Sequence, residues 1–178
     1  MDDSLLDGHY LIMAYTGDCG PPQFLYHGGN ATTQTVISSK DGSKNTWCIS
    51  KHPVGNVPLR LLWCHPHGGY LLDHKRETSK AIVFKSHSPY TDNQLWALYK
   101  VSSPTADDPN NYFWAIQSYV NGLEGGFLTR DRTNNENTRL VSIESAHELT
   151  QFKQSQKWIL LPHSPVSQNN DLELENVL

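Results

Sequence analysis

The chain has little of what helices, disulfide frameworks or membrane spans are built from. No long stretch places apolar residues at i, i+3, i+4 and i+7 between two caps; the best candidate helix, Ser145 to Phe152, is about two turns long. Cys19, Cys48 and Cys64 are three cysteines at wide spacings, an odd number that cannot make a complete disulfide framework. No stretch approaches the roughly 18 apolar residues of a membrane helix. The opening Met1-Asp2-Asp3-Ser4-Leu5-Leu6 lacks the basic region and long apolar run of a secretory leader. With Met1 native, these absences predict a protein kept in a reducing cytoplasm. A mature secreted form would share them, so secretion stays open.

Charge of one sign is also scarce. Fourteen Lys and Arg stand against eighteen Asp and Glu, for a formal net charge of −4. Nucleic-acid binders carry basic patches because phosphate contacts dominate their affinity. The densest basic run here, His74-Lys75-Arg76, lies between Asp73 and Glu77 and reads as a solvated turn. No nucleic-acid partner is expected. Apolar residues make up 37% and charged residues 18% of the 178 positions, below the usual values of about 45–50% and about 25%. The polar remainder is mainly uncharged, as in sheets and loops. A chain of this length suits one domain able to bury a sizeable core.

What the sequence does contain is short alternating or apolar runs, each closed by Gly, Pro, Asn or Asp. Twelve are legible: Tyr10–Tyr15, Phe24–Tyr26, Thr35–Ser38, Thr46–Ile49, Leu59–Cys64, Tyr70–Leu72, Ala81–Phe84, Leu95–Val101, Tyr112–Tyr119, Phe127–Thr129, Leu140–Ile143 and Lys157–Leu161. They predict an all-β protein. They also recur. Trp47, Trp96 and Trp158 close three blocks, at intervals of 49 and 62 residues. Before each comes an aromatic-Leu pair: Phe24-Leu25, Tyr70-Leu71 and Phe127-Leu128. The last two follow Gly68-Gly69 and Gly125-Gly126, suited to tight turns or bends. A β-branched or apolar pair stands between the marks: Val36-Ile37, Ile82-Val83, Leu140-Val141. Three units of four strands, each about 50 residues, bury a core only by packing round a common axis. An open sandwich has similar strand spacing, and a propeller of three blades would be too small.

The pattern resembles the β-trefoil, and within it the ricin B-chain-like lectins. Gln94-Leu95-Trp96 and Gln156-Lys157-Trp158 are similar to that family's Gln-x-Trp motif, and Asn45-Thr46-Trp47 to a degenerate copy. Gly68-Gly69-Tyr70-Leu71-Leu72-Asp73 resembles its Gly-x-x-Leu-Asp strand. The ends of the matching region, Asp7-Gly8-His9-Tyr10-Leu11-Ile12 and Lys157-Trp158-Ile159-Leu160, are similar to small fungal trefoils. Those include cytoplasmic lectins and the mycocypin inhibitors of cysteine proteases. The resemblance implies a single trefoil over 1–162, with pseudo-repeats near 8–52, 57–103 and 110–162, followed by a polar tail, 163–178.

The same resemblance implies a non-enzymatic recognition protein whose partner is a glycan or glycoprotein. Asp73 falls where the family's sugar-binding carboxylate stands. His27 and Arg130 are its expected counterparts in the other two units. Lys85 falls near the stacking aromatic, with Phe84 beside it; Ser88 falls near the family's Asn, and Asn93 precedes the Gln. Gln94, Gln156 and the three tryptophans are expected to support the fold rather than touch ligand. The alternative is protease inhibition through two surface loops. One holds Gly17, Asp18, Cys19, Gly20, Pro21 and Pro22, whose Gly and Pro allow close approach and limit loop entropy. The other holds Lys40, Asp41 and Gly42. Two further polar segments, Asn121 to Gly126 and Asp131 to Thr138, fit binding loops and exposed turns equally.

Enzyme chemistry is not expected. Cys64-His65-Pro66-His67, with Cys48, His52 and His74 elsewhere, is the most reactive-looking set. No Cys-x-x-Cys, His-Glu-x-x-His or Gly-rich phosphate loop accompanies it. Neither a metal nor a cofactor is anticipated, and the sequence sets no oligomeric state. All three thiols are expected free, with Cys19 the most exposed. Alternation is expected to turn Cys48 away from Trp47 and Ile49, and Cys64 away from Trp63 in the same way.

Overall fold

All twelve apolar or alternating runs form strands in the computed structural model. It describes residues 5, 7–15, 22–27, 35–38, 46–65, 69–85, 89–101, 112–130, 138–145 and 152–163. The strands are β1 (Gly8–Ala14), β2 (Gln23–His27), β3 (Thr35–Ser38), β4 (Thr46–Lys51), β5 (Arg60–His65) and β6 (Tyr70–Lys75). The second half continues with β7 (Lys80–Lys85), β8 (Trp96–Val101), β9 (Phe113–Ser118), β10 (Phe127–Arg130), β11 (Thr138–Glu144) and β12 (Trp158–Pro162). Single 3-10 turns are the only helical elements among the described residues. The segment expected as a short helix, 145–152, lies mostly outside them.

Every pairing is antiparallel. Six strands follow one another round a closed ring: β1 pairs with β4, β4 with β5, β5 with β8, β8 with β9, β9 with β12, and β12 with β1. Closure leaves the ring without a free edge that another chain could pair with. The other six strands form three hairpins, β2–β3, β6–β7 and β10–β11, the last touching both others through β11. No helix of the described residues is long and apolar enough to cross a membrane.

Trp47, Trp96 and Trp158 fill the middle of this barrel, fully buried with Ile12, Leu25, Ile49, Leu62, Leu72 and Leu128. Their ring nitrogens are satisfied in one recurring way. Trp47 Nε1 donates to the Leu25 carbonyl at 3.0 Å, Trp96 Nε1 to Leu72 at 3.0 Å, and Trp158 Nε1 to Leu128 at 2.9 Å. Each bond ties a ring strand to the first strand of a hairpin. An unpaired indole N–H in such a core would cost about 1–3 kcal/mol.

The accepting carbonyls belong to Leu25, Leu72 and Leu128, so the bonds fall on Leu72 rather than on the Leu71 of the aromatic-Leu mark. Tyr26, Asp73 and Thr129 directly follow these leucines, and His27, His74 and Arg130, all buried polar side chains, come one position later. The strand β6 carries one more residue before its core Leu than the aromatic-Leu mark suggests.

Register sets which cysteine meets the core. In the β4–β5 ladder Trp47 stands opposite Cys64, and Cys48 opposite Trp63. Directly paired residues share a face, so Cys64 follows Trp47 inward and is 1% exposed. Trp63 turns instead to a second cluster around Leu59, Leu61, Leu71 and Leu95. Cys48 faces away from Trp47 as expected, and both thiols are free. Burial pushes the Cys64 thiol up to about 11. Cys19 lies outside the described residues.

The glycine pairs act in two different ways. Gly69 sits at φ +88, the open backbone angle expected of it. Gly125 and Gly126 are sites of close backbone approach. A Cβ on Gly125 would run into the Ser118 carbonyl, and one on Gly126 would lie 2.8 Å from the Glu144 carbonyl oxygen. Gly125→Ala should therefore lower stability by about 2 kcal/mol or more. Gly8→Ala, whose Cβ would meet the Tyr10 ring at an ordinary 3.6 Å, should cost almost nothing. Urea midpoints of the two variants check this.

Candidate functional site

The β6–β7 hairpin and the turn before β8 build an open groove of about 730 Å³. Register decides which side chains enter it. Asp73 pairs with Ile82, Lys75 with Lys80, and Leu71 with Phe84. With a period of two, Asp73 and Lys75 share their face with Lys80, Ile82 and Phe84. The opposite face carries Leu72, Ala81 and Val83 into the core. The Leu72 side chain is fully buried in the core cluster with Trp96, so alternation turns Asp73 into the groove.

Asp73 is a floor residue, 6% exposed and lining the groove. Phe84 stands at the wall and is 39% exposed, one of few large apolar side chains left in solvent. Asn93, in the 3-10 turn Asp92–Gln94, closes the other side. Its Oδ1 accepts from Arg76 Nε at 2.8 Å. That guanidinium orients the amide, leaving its NH2 group as a donor. The turn itself is held by Gln94, which is fully buried and donates from Nε2 to the Lys85 carbonyl at 3.1 Å. Gln156 makes a matching contact, Nε2 to the Glu144 carbonyl at 3.5 Å, and reaches Thr129 Oγ1 at 3.3 Å. Both glutamines are fully buried, and each ties a 3-10 turn to the end of a neighbouring hairpin strand.

Two of the four residues expected to form a binding site, Asp73 and Asn93, line one groove. Lys85 does not. It stands one position beyond Phe84, opposite Tyr70, and so on the other face of the hairpin. The aromatic wall is Phe84 itself. Counting alternation from Asp73 across the hairpin would have found it. Ser88 lies outside the described residues. So do Gly17 to Pro21 of the first proposed inhibitory loop, and Lys40, Asp41 and Gly42 of the second; Pro22 is exposed just before β2.

The basic run is not a solvated turn throughout. His74 is buried in β6, its Nδ1 hydrogen-bonded to Ser118 Oγ at 2.9 Å. Desolvation, and secondarily the Arg76 charge, hold its pKa below the ordinary imidazole value. Lys75, Arg76 and Lys80 form a cationic rim with Glu77 among them. Among the described residues no group of His, Cys, Asp and Glu is arranged to hold a metal ion.

No family model and no curated protein matches the sequence. Solved structures match it in shape. A mosquitocidal holotoxin aligns over 90% of this chain with a TM-score of 0.56 and 14% identity. The cytolethal distending toxin from Actinobacillus actinomycetemcomitans aligns over 87% with 0.59 and 15%. The S. cerevisiae protein O-mannosyltransferase Pmt1–Pmt2 complex bound to the sugar donor aligns over 92% with 0.61 and 12%. This chain spans 18% of the holotoxin chain and 26% of the mannosyltransferase chain, but 95% of the distending-toxin chain. At such identities the likeness establishes the fold alone.

The His74 environment gives a pH dependence. Its folded pKa is depressed below the unfolded value of about 6.5, so the unfolded chain binds the proton first on acidification. The stabilising contribution is fully present above about pH 6.5 and is lost as pH falls below it. Urea titrations at about pH 7.5 and about pH 5.5 should show a smaller acid loss for His74→Gln than for the parent chain.

Proposed function

We propose that this chain is a non-enzymatic β-trefoil of the ricin B-chain-like class, with pseudo-repeats near 8–52, 57–103 and 110–162, and that it binds carbohydrate in the β6–β7 groove. The recurring indole-to-Leu bonds, the three hairpins on a closed ring and the paired roles of Gln94 and Gln156 support the trefoil reading. One observation carries the binding reading: a buried carboxylate, an oriented amide and an exposed aromatic ring meet in a single open groove.

A sugar presents hydroxyls in fixed directions and a C–H face. Asp73 accepts hydrogen bonds from two adjacent hydroxyls. The Asn93 amide donates to one and, held by Arg76, does so without losing rotamer freedom on binding. Phe84 offers a flat apolar surface to the C–H face. None of these groups is arranged as a nucleophile with a base, so the groove orients a ligand without reacting with it. The corresponding positions, Tyr26 and Thr129, carry no carboxylate. One groove of this kind gives weak monovalent binding, and agglutination would require an oligomer.

A glycan array with the parent chain should return hits that Asp73→Ala abolishes. Because Asp73 is buried, Phe84→Ala serves as a second variant on an exposed side chain. It should weaken the same hits at least about tenfold, the loss of one ring contact, while the circular dichroism spectrum is unchanged. Binding unaffected by both variants would refute the site. No hits, together with tight inhibition of a papain-like protease, would refute the function and favour the loops at 17–22 and 40–42.

A further inference from the structure

The groove has a feature that recognition of neutral hydroxyls leaves unused. Lys75 and Lys80 are directly opposed partners in the β6–β7 ladder, side by side on the groove face. Like charges in that position repel one another, and cross-strand pairs of this kind normally destabilise a hairpin. Among the described residues neither lysine has an ion-pair or hydrogen-bond partner for its ammonium group. Glu77 lies in the adjoining 3-10 turn Arg76–Thr78 and also lines the groove, but it pairs with neither. Arg76 adds a third cation at the same end, its Nε committed to Asn93. Three cations against Asp73 and Glu77 leave the groove positive on a chain whose formal net charge is −4. The local sign therefore runs against the global one.

We infer that the groove selects an acidic saccharide, with a carboxylate or sulfate ester seated between Lys75 and Lys80 and the ring hydroxyls on Asp73 and Asn93. This rests on the carbohydrate reading given above and narrows it. An anion between the two ammonium groups removes their repulsion and gains charge-assisted hydrogen bonds, which are about twice as strong as neutral ones. Asp73 stays clear of that anion because it is two residues along the strand from Lys75, about 6–7 Å away. One groove thus holds a cationic end for the charge and an acidic floor for the hydroxyls.

The test uses the full chain on an array carrying neutral glycans beside their sialylated and sulfated forms. Acidic members of each pair should bind at least about tenfold more strongly than their neutral parents, the gain of one charge-assisted bond. The preference should shrink as salt is raised. In Lys75→Gln and Lys80→Gln the acidic-to-neutral ratio should fall towards one, sialylated and sulfated probes separating the two sources of charge. Equal binding of neutral and acidic partners, still abolished by Asp73→Ala, would overturn this inference and leave the carbohydrate reading intact. An acidic preference that persists in both lysine variants would also overturn it. Absence of binding to every probe would overturn both readings.

Discussion

Three indole N–H groups, each donating to the carbonyl of a buried leucine, hold the molecule's two parts together. The ring of six strands and the three hairpins share few ladder bonds, yet Trp47, Trp96 and Trp158 cross between them. The magnitudes divide the labour. A buried tryptophan removes roughly 150–250 Å² from water, worth a few kcal/mol at about 25 cal/mol per Å². The hydrogen bond adds only about 1 kcal/mol net. Burial of volume therefore stabilises the core, while the hydrogen bonds satisfy the indole N–H groups inside it and tie each tryptophan to one hairpin strand. A slip of one residue would leave an indole N–H unpaired and turn the alternate face of the strand inward.

The groove inherits its composition from that register. With Leu72 under Trp96, parity sends Asp73 outward, and the ladder then aligns Lys75 with Lys80 and sets Ile82 and Phe84 beside Asp73. Gln94, locked onto the Lys85 carbonyl, fixes the turn that presents Asn93. No side chain of the groove needs an unusual backbone. The one left-handed residue nearby, Ser79 at φ 49, closes the tip of the hairpin. The set of side chains that line the groove is thus a consequence of register.

Strand positions were legible in the sequence because alternation with a period of two is a local signal, and Gly, Pro, Asn and Asp mark its ends. The tryptophan spacing was legible for the same reason. What the sequence hid was register between strands. Tyr70-Leu71 looks like Phe24-Leu25, yet it is the Leu72 carbonyl that accepts from Trp96 and the Leu72 side chain that enters the main core. Lys85 was expected near the stacking position with Phe84 beside it, and the ladder puts Phe84, not Lys85, on the groove face. Alternation sets Cys64 against Trp63, but only its cross-strand partner Trp47 shows that Cys64 is the one turned inward. His74 was read as solvated because its neighbours are charged, while its burial depends on Ser118, a residue of β9 distant in sequence. Leu72 and Phe84 turn on parity within one hairpin, whereas the facing of Cys64 and the burial of His74 depend on contacts between strands that local pattern does not encode.

The account stands or falls on the tryptophan bonds, and native-state hydrogen exchange of the five indole N–H groups tests them most directly. Trp47, Trp96 and Trp158 should exchange only through global unfolding, with protection equal to that of the slowest backbone amides. Trp63, bonded to Ser50 Oγ at a half-buried position, should exchange much faster through local opening. Rapid exchange at Trp47, Trp96 or Trp158 would contradict the account, because the hairpins would then be held to the ring by something else.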